Sequence, residues 1–162
     1  MNQRIGIGFD SHRFAAARPF ILGGVRISES DGLQGHSDAD ALTHAIIDAL
    51  LGAAALGDIG VHFPPSDGRW ADADSQDLLT RTVDLLARHG FRVGNVDATV
   101  VAERPRLAPH IAAMRAQLAR TLQVTEEAVS VKATRPEGLG ALGRGEGVAV
   151  QAVAQIVPGH DC

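Results

Sequence analysis

Hydrophobic residues recur at every second position in several stretches of the chain, a period that predicts β-strands. The stretches are residues 3–9 (QRIGIGF), 94–102 (GNVDATVVA), 128–134 (AVSVKAT) and 147–157 (GVAVQAVAQIV). Residues 19–27 (PFILGGVRI), second along the chain, are also predicted to be a strand, which Gly23 and Gly24 interrupt. The first two predicted strands are candidates for pairing with each other as a hairpin.

Three other segments carry apolar residues at helical spacing. The first helix is predicted over residues 37–55, with Ser37 or Asp38 as its N-cap. The second is predicted over residues 75–89, with Gly90 at its C-cap. The third has Pro109 in its first turn and a buried stripe of Ile111, Met114 and Leu118.

The order of these elements, β-β-α-α-β-α-β-β, predicts the α+β class. We expect one domain over residues 1–162, with helices on one face of a mixed or largely antiparallel sheet. Residues 56–74 are rich in glycine, proline and aspartate and are too long for a simple connection. This segment is predicted to be a mobile loop over an active site.

Composition narrows the classes of function. The chain has 162 residues and a net charge of −4, so it lacks the basic surface that binds nucleic acid nonspecifically. Its only cysteine is Cys162, which excludes an intramolecular disulfide and a thiolate metal cluster. No apolar run approaches the roughly 20 residues that cross a bilayer, and we expect a soluble, cytoplasmic protein.

Histidine and aspartate concentrate in two places. Asp10 and His12 end the first predicted strand, where they form either a solvated pair or half of a cation site. Further ligand candidates occur where the first helix starts: His36, Asp38, Asp40, His44 and Asp48. Two histidines and a carboxylate would suit Zn²⁺, with Mn²⁺ or Co²⁺ as alternatives. Asp40 or Asp48 could then accept a hydrogen bond from His44 and fix its tautomer.

A glycine-rich segment lies between the last two predicted strands. Gly138, Gly140 and Gly143 have the spacing of a dinucleotide-binding motif, but a strand follows them where that motif requires a helix. The backbone N–H groups of such a loop can instead bind phosphate, with Lys132, Arg135 and Arg144 adding positive charge. Glu137 is either a Mg²⁺ ligand between phosphates or a surface charge.

Several long motifs together resemble the 2-C-methyl-D-erythritol 2,4-cyclodiphosphate synthase family. They are GFDSHRF, HSDADALTHAIIDALLGAAALGDIGVHFP, GNVDATVVAERPRLAPHI and VSVKAT followed by EGLG and GRGEGVA, and they cover almost the whole chain in order. The resemblance implies metal-dependent closure of 4-diphosphocytidyl-2-C-methyl-D-erythritol 2-phosphate to the cyclic diphosphate, with release of CMP. This is a phosphorus-oxygen lyase reaction of the non-mevalonate isoprenoid pathway. It also implies a homotrimer with active sites between subunits.

The resemblance assigns roles to individual residues. The metal ligands are Asp10, His12 and His44, and a Mg²⁺ ion lies near Glu137. His36 and Arg135 occupy the positions of residues that stabilise the transition state. The other implied contacts with the cytidine diphosphate substrate are Ser37, Asp58, Gly60, Phe63, Asp67, Ala102, Pro105, Leu107, Ala108, Thr134, Ala141 and Arg144. Arg144 and Glu146 also match residues around a central cavity that can accept an isoprenoid diphosphate.

The chain departs from the family pattern near its phosphate loop. Arg135 and Pro136 follow Thr134 where the family has hydroxyl residues, and Ala141 and Leu142 replace an aromatic residue and a threonine. Pro65 stands where an acid is common. Arg135 either pairs with phosphate more strongly or holds the ground state and slows turnover. The alternative function is therefore a catalytically weak trimeric protein that binds a nucleotide or isoprenoid diphosphate.

Overall fold

The computed structural model describes residues 2–159, so Cys162 and its predicted lack of a disulfide partner lie outside the described residues. The described residues form seven strands: β1 (Arg4–Ala15), β2 (Phe20–Leu22), β3 (Val25–Ser28), β4 (Gly32–Leu33), β5 (Phe91–Val101), β6 (Val129–Thr134) and β7 (Gly147–Pro158). Five of them form one sheet in the order β4-β1-β7-β5-β6. Only β5 and β6 pair in parallel, so the sheet is mixed.

The helices are α1 (Ala41–Ala54), α2 (Ile59–His62), α3 (Ser75–Arg88), α4 (Ile111–Leu122) and α5 (Gly140–Gly143). The three long helices α1, α3 and α4 pack against the strands and against one another around a common apolar core. They cover one face of the sheet, and the predicted α+β class is confirmed. None of the helices within residues 2–159 combines the length and the apolar character needed to span a bilayer.

Two glycines let α1 lie directly on β1. A β-carbon at Gly6 would come within 2.0 Å of the Ala49 carbonyl oxygen, and one at Gly8 within 1.9 Å of the Ala45 carbonyl oxygen. Both distances are far below van der Waals contact, so only glycine fits at these positions. The close approach brings the start of α1 next to the second half of β1, where Asp10 and His12 lie.

The predicted pairing of the first two strands is wrong. Residues 19–27 form two strands, β2 and β3, which pair with each other in a separate hairpin. Gly23 and Gly24 connect them with φ angles of 57° and 72°, the left-handed pair that a tight hairpin turn requires. Strand β1 pairs instead with the short strand β4 on one side and with β7 on the other.

All three long helices also begin or end differently from the prediction. Pro109 lies in a 3-10 turn over Ala108–His110, and α4 begins after it at Ile111. Helix α1 begins at Ala41, and its N-cap is Asp40 rather than Ser37 or Asp38. Helix α3 ends at Arg88 with His89 as its C-cap, and Gly90 follows with a φ angle of 77°. The segment predicted as a loop contains α2 and a 3-10 turn over Gly68–Trp70.

The face of the sheet opposite the helices is exposed and apolar along β1. Ile5, Ile7 and Phe9 are 71%, 63% and 64% exposed, and Val153 on β7 is 41% exposed. Ile7 lies directly opposite Val153 in the register of β1 with β7. In the described chain these side chains form a continuous apolar strip, here named the outer strip.

Candidate active site

Asp10, His12 and His44 converge at the start of α1. The first two are two residues apart on β1 and point toward the helix, as the period of a strand requires. The Asp10 Oδ2 atom lies 2.8 Å from His12 Nε2 and 3.1 Å from His44 Nδ1. One ligand atom from each residue falls within 4.8 Å of the others, a group able to hold a metal ion. The predicted convergence of these three residues is confirmed.

In each imidazole, the nitrogen that faces away from Asp10 already makes a hydrogen bond. His12 Nδ1 is 2.6 Å from the Gln34 carbonyl oxygen, which can only accept, so Nδ1 carries the proton. His44 Nε2 is 2.8 Å from the Ser75 hydroxyl. The two nitrogens that face Asp10 are therefore the ones available as ligands. Two imidazoles and one carboxylate leave a fourth position open, as in catalytic zinc sites, so the residues present fit a divalent metal.

Asp10 and His12 shift each other's proton affinity. Burial opposes ionisation of Asp10, but hydrogen bonds and positive charge from His12 and His44 outweigh it and hold the pKa of Asp10 well below its ordinary value. The hydrogen bond to Asp10 raises the pKa of His12, although burial partly opposes this rise. The group is thus prepared to hold positive charge beside the Asp10 carboxylate.

The prediction that the Asp40 or Asp48 carboxylate accepts a hydrogen bond from the His44 imidazole is wrong. Asp40 is fully buried and accepts hydrogen bonds from the backbone of Gly23 and Gly24 and from Thr43, which ties the β2-β3 turn to the start of α1. Asp48 accepts a hydrogen bond from the Ile59 backbone at 2.8 Å. Spacing by four residues placed both acids near His44, but backbone N–H groups from other segments bind them.

A cleft of about 280 Å³ opens beside the three candidate ligands. Four of the predicted substrate contacts line it: His36, Ser37, Gly60 and Phe63. Sequence reasoning missed Ile59, Trp70 and Leu78, apolar side chains that complete the wall and look like core residues in the sequence. Asp58 and Asp67 do not line this cleft; they cap α2 and the 3-10 turn that follow them.

A second cavity, of about 290 Å³, lies at the other edge of the sheet. Its lining contains the four predicted substrate contacts between β5 and α4, together with the last residue of β6 and the residue that follows it. These residues are Ala102, Pro105, Leu107, Ala108, Thr134 and Arg135. The structure therefore groups these predicted contacts in one place.

The remaining predicted residues lie around the glycine-rich segment. Ala141 lines a third cavity, of about 310 Å³, together with His12 and Glu146. Arg144 makes an ion pair with Glu146 at 2.7 Å. Glu137 is exposed in the loop before α5, with a φ angle of 53°. Lys132 pairs with Asp97 at 2.5 Å, so its charge is already matched by a carboxylate.

The second cavity and the candidate metal group are separated within one chain. Asp10 lies opposite Val150 on β7, and Val150 lies opposite Val100 on β5. Strand β6, which ends at Thr134, is one strand further. Three strand spacings amount to roughly 14 Å. Val150 and Val100 are fully buried, so packed core fills the space between the two sites.

Comparison with known proteins identifies the family. A model of the YgbB family matches residues 3–157. A 2-C-methyl-D-erythritol 2,4-cyclodiphosphate synthase from Thermosynechococcus vestitus is 57% identical over 159 residues, which cover 98% of this chain and 99% of that protein. The chain belongs to this cyclodiphosphate synthase family. The resemblance that the motifs predicted is confirmed.

Solved structures of the synthase family share the fold. The bifunctional IspDF from Campylobacter jejuni has a TM-score of 0.93 and 42% identity, over 98% of this chain and 43% of that longer chain. IspF of Plasmodium falciparum in a CDP complex has a TM-score of 0.86 and 29% identity, over 98% of each chain. The synthase fold is thus found both alone and within a longer polypeptide.

Proposed function

We propose that the chain closes 4-diphosphocytidyl-2-C-methyl-D-erythritol 2-phosphate to 2-C-methyl-D-erythritol 2,4-cyclodiphosphate. An oxygen of the 2-phosphate attacks the β-phosphorus, and the bond from that phosphorus to the oxygen of CMP breaks. The enzyme is then a phosphorus-oxygen lyase of the non-mevalonate isoprenoid pathway, working in the cytoplasm. The convergence of Asp10, His12 and His44 at a cleft carries this proposal.

Asp10, His12 and His44 are the proposed ligands of a Zn²⁺ ion, or of Mn²⁺ or Co²⁺ in its place. The bound ion supplies a positive charge that polarises a phosphoryl oxygen. His36 and Ser37 line the same cleft, where their side chains can donate hydrogen bonds to the reacting phosphate. The reaction needs no protein nucleophile, so positioning and charge stabilisation account for catalysis.

The cavity around Pro105 and Leu107 is the proposed site of the cytidine. Its apolar walls can pack the base, while Thr134 and Arg135 at its rim can bind the diphosphate. Glu137 follows in the same loop and is exposed, which leaves its carboxylate free for a Mg²⁺ ion beside the diphosphate. The CDP complex of the Plasmodium falciparum relative supports a nucleotide site in this fold.

A homotrimer with active sites between subunits accounts for two observations. The outer strip of Ile5, Ile7, Phe9 and Val153 is an apolar surface of the kind that subunit contacts cover. The cytidine cavity and the metal group lie at opposite edges of one sheet, so a neighbouring subunit can bring them together. Arg144, Glu146 and Ala141 would then surround a central cavity that accepts an isoprenoid diphosphate.

The test is release of CMP by the purified protein, incubated with the substrate, Zn²⁺ and Mg²⁺. The expected result is one CMP for each cyclic diphosphate formed. His44→Ala removes one of three metal ligands and should abolish release, whereas His89→Ala, at the exposed end of α3, should leave it unchanged. Tight substrate binding without CMP, with release restored by Arg135→Thr, would instead establish a binding protein.

A further inference from the structure

Behind the candidate metal group lies a second, buried group of polar residues. The Ser75 side chain is fully buried at the first position of α3, 31 residues from His44 in sequence. Its hydroxyl contacts His44 Nε2 at 2.8 Å and also makes a short hydrogen bond with Asp38 Oδ1. The Asp38 carboxylate is 4.0 Å from His44 Nε2, too far for a direct hydrogen bond.

The carboxylate of Asp38 is itself held by backbone donors. Its Oδ2 atom accepts from the Ser75 backbone N–H at 2.9 Å, and its Oδ1 atom accepts from the Asp40 backbone N–H at 3.1 Å. Three donors thus bind one carboxylate, of which only 14% of the side-chain surface is exposed. The position of this acid is fixed by the starts of α1 and α3 together.

The direction of each hydrogen bond in this group follows from the donor count. Ionised Asp38 can only accept, so the single proton of the Ser75 hydroxyl points to Asp38. The Ser75 oxygen then accepts from His44, which places the imidazole proton on Nε2. The lone pair of His44 Nδ1 is left facing Asp10, where a metal ligand is needed. Ser37 is a longer contact of the same Nε2 atom, at 3.2 Å.

We infer that Ser75 and Asp38 are positioning residues that orient His44 and fix its tautomer for metal binding. The inference rests on the proposed function for the identity of the metal. It assigns to two residues outside the ligand set a measurable share of the metal affinity. Removing the partner of a metal-bound histidine typically weakens metal binding by about 10-fold to 100-fold.

The test measures the Zn²⁺ dissociation constant by competition with a chromophoric chelator at fixed pH. Ser75→Ala should weaken Zn²⁺ binding by about 10-fold or more, and Asp38→Asn by less, because an amide oxygen still accepts the serine proton. The double variant should bind no more weakly than Ser75→Ala, since Asp38 acts through the hydroxyl. Thermal unfolding of the metal-free variants reports their folding separately.

Two variants on the same helix serve as matched controls. Asp74→Ala removes the N-cap of α3, and Thr82→Val removes a buried hydroxyl that bonds to the Leu78 carbonyl. Neither side chain contacts His44, so Zn²⁺ affinity should stay at the wild-type value even where stability falls. In the zinc-loaded wild type, the long-range ¹H–¹⁵N spectrum should show His44 protonated at Nε2.

The outcomes separate this inference from the proposed function. Wild-type Zn²⁺ affinity in Ser75→Ala, additive losses in the double variant, or an Nδ1-protonated His44 would each overturn the positioning role. Absence of CMP release by the zinc-loaded wild type would overturn the proposed function and leave the positioning role standing. A wild type that binds no Zn²⁺ would overturn both.

Discussion

At the scale of single residues, Asp10 is the residue that both imidazoles of the candidate metal site contact. Both inward imidazole nitrogens face the same carboxylate oxygen, Asp10 Oδ2. The contact with Asp10 raises the pKa of His12 and so favours a proton on the imidazole nitrogen that would otherwise bind a cation. Proton and metal therefore compete for the same group, and pH acts on stability and on metal affinity in opposite directions.

The metal-free protein should lose the contribution of His12 to stability as the solution becomes alkaline. Contact with Asp10 raises the pKa of folded His12 above its reference value of 6.5. A raised pKa gives stability that is complete below pH 6.5 and is lost as pH rises through the folded value. Thermal unfolding in the presence of a chelator should show the largest gap between wild type and His12→Asn at about pH 5–6.

Asp10 sets the lower pH limit of this contribution to stability. Its pKa is lowered, so its contribution is complete above the reference value of 3.8 and is lost as pH falls through the folded value. Zn²⁺ affinity should rise over the range in which the His12 contribution falls, because the ligand must be a neutral imidazole. If the difference in unfolding temperature between wild type and His12→Asn widened from about pH 6 to about pH 9, the raised pKa of His12 would be contradicted.

At the scale of elements, the site depends on how closely α1 approaches β1. His44 belongs to the helix, whereas Asp10 and His12 belong to the strand, so the separation of the two elements sets the ligand distances. Gly6 and Gly8 remove the side chains that would hold the elements apart. Packed interiors deform little, and a change at this contact therefore reaches the metal ligands.

Gly8→Ala should weaken both the fold and the metal site. The new methyl group would meet the Ala45 carbonyl oxygen at 1.9 Å and push α1 outward, at a cost of about 1–3 kcal/mol in the free energy of unfolding. Zn²⁺ affinity should fall with it. Denaturant unfolding and chelator competition measure the two effects separately.

Gly52→Ala is the matched control on α1. Its new methyl group would meet only the Ile7 carbonyl oxygen, at an ordinary 3.8 Å, and the residue is exposed within the helix. Alanine should therefore stabilise the protein by about 0.5–1 kcal/mol. Equal effects of the two substitutions would show that the contact at Gly8 does not control the separation of α1 from β1.

Local patterns predicted most of the elements but not the contacts between distant segments. The period of two located β1, β5, β6 and β7, and the helical period located α1, α3 and α4, because burial of one face imposes these periods. The period at Asp40 and Asp48 suggested contacts with His44, yet those acids bind Gly23, Gly24 and Ile59. Ser75, the actual partner of His44, comes from another helix, and no local spacing signals it.

At the scale of the whole molecule, one chain supplies the two halves of the proposed site at opposite edges of its sheet. The outer strip along β1 offers an apolar surface through which copies of the chain can associate. Assembly and catalysis should therefore fail together when this strip is made polar. That coupling distinguishes a subunit contact needed for the site from an incidental one.

Phe9→Glu tests the coupling at the end of the outer strip that lies next to Asp10. Phe9 is 64% exposed in the single chain, so a charge there should disturb the fold little but should be costly when buried between subunits. Sedimentation should show a monomer in place of the proposed trimer, and CMP release should fall to background while each monomer keeps its metal ligands. Thr80→Glu adds the same charge to the exposed side of α3 and should leave both assembly and CMP release unchanged.

An active Phe9→Glu monomer would contradict the coupling, because it would place the complete site within one chain. The chain itself would then have to move to bring the cytidine cavity next to Asp10.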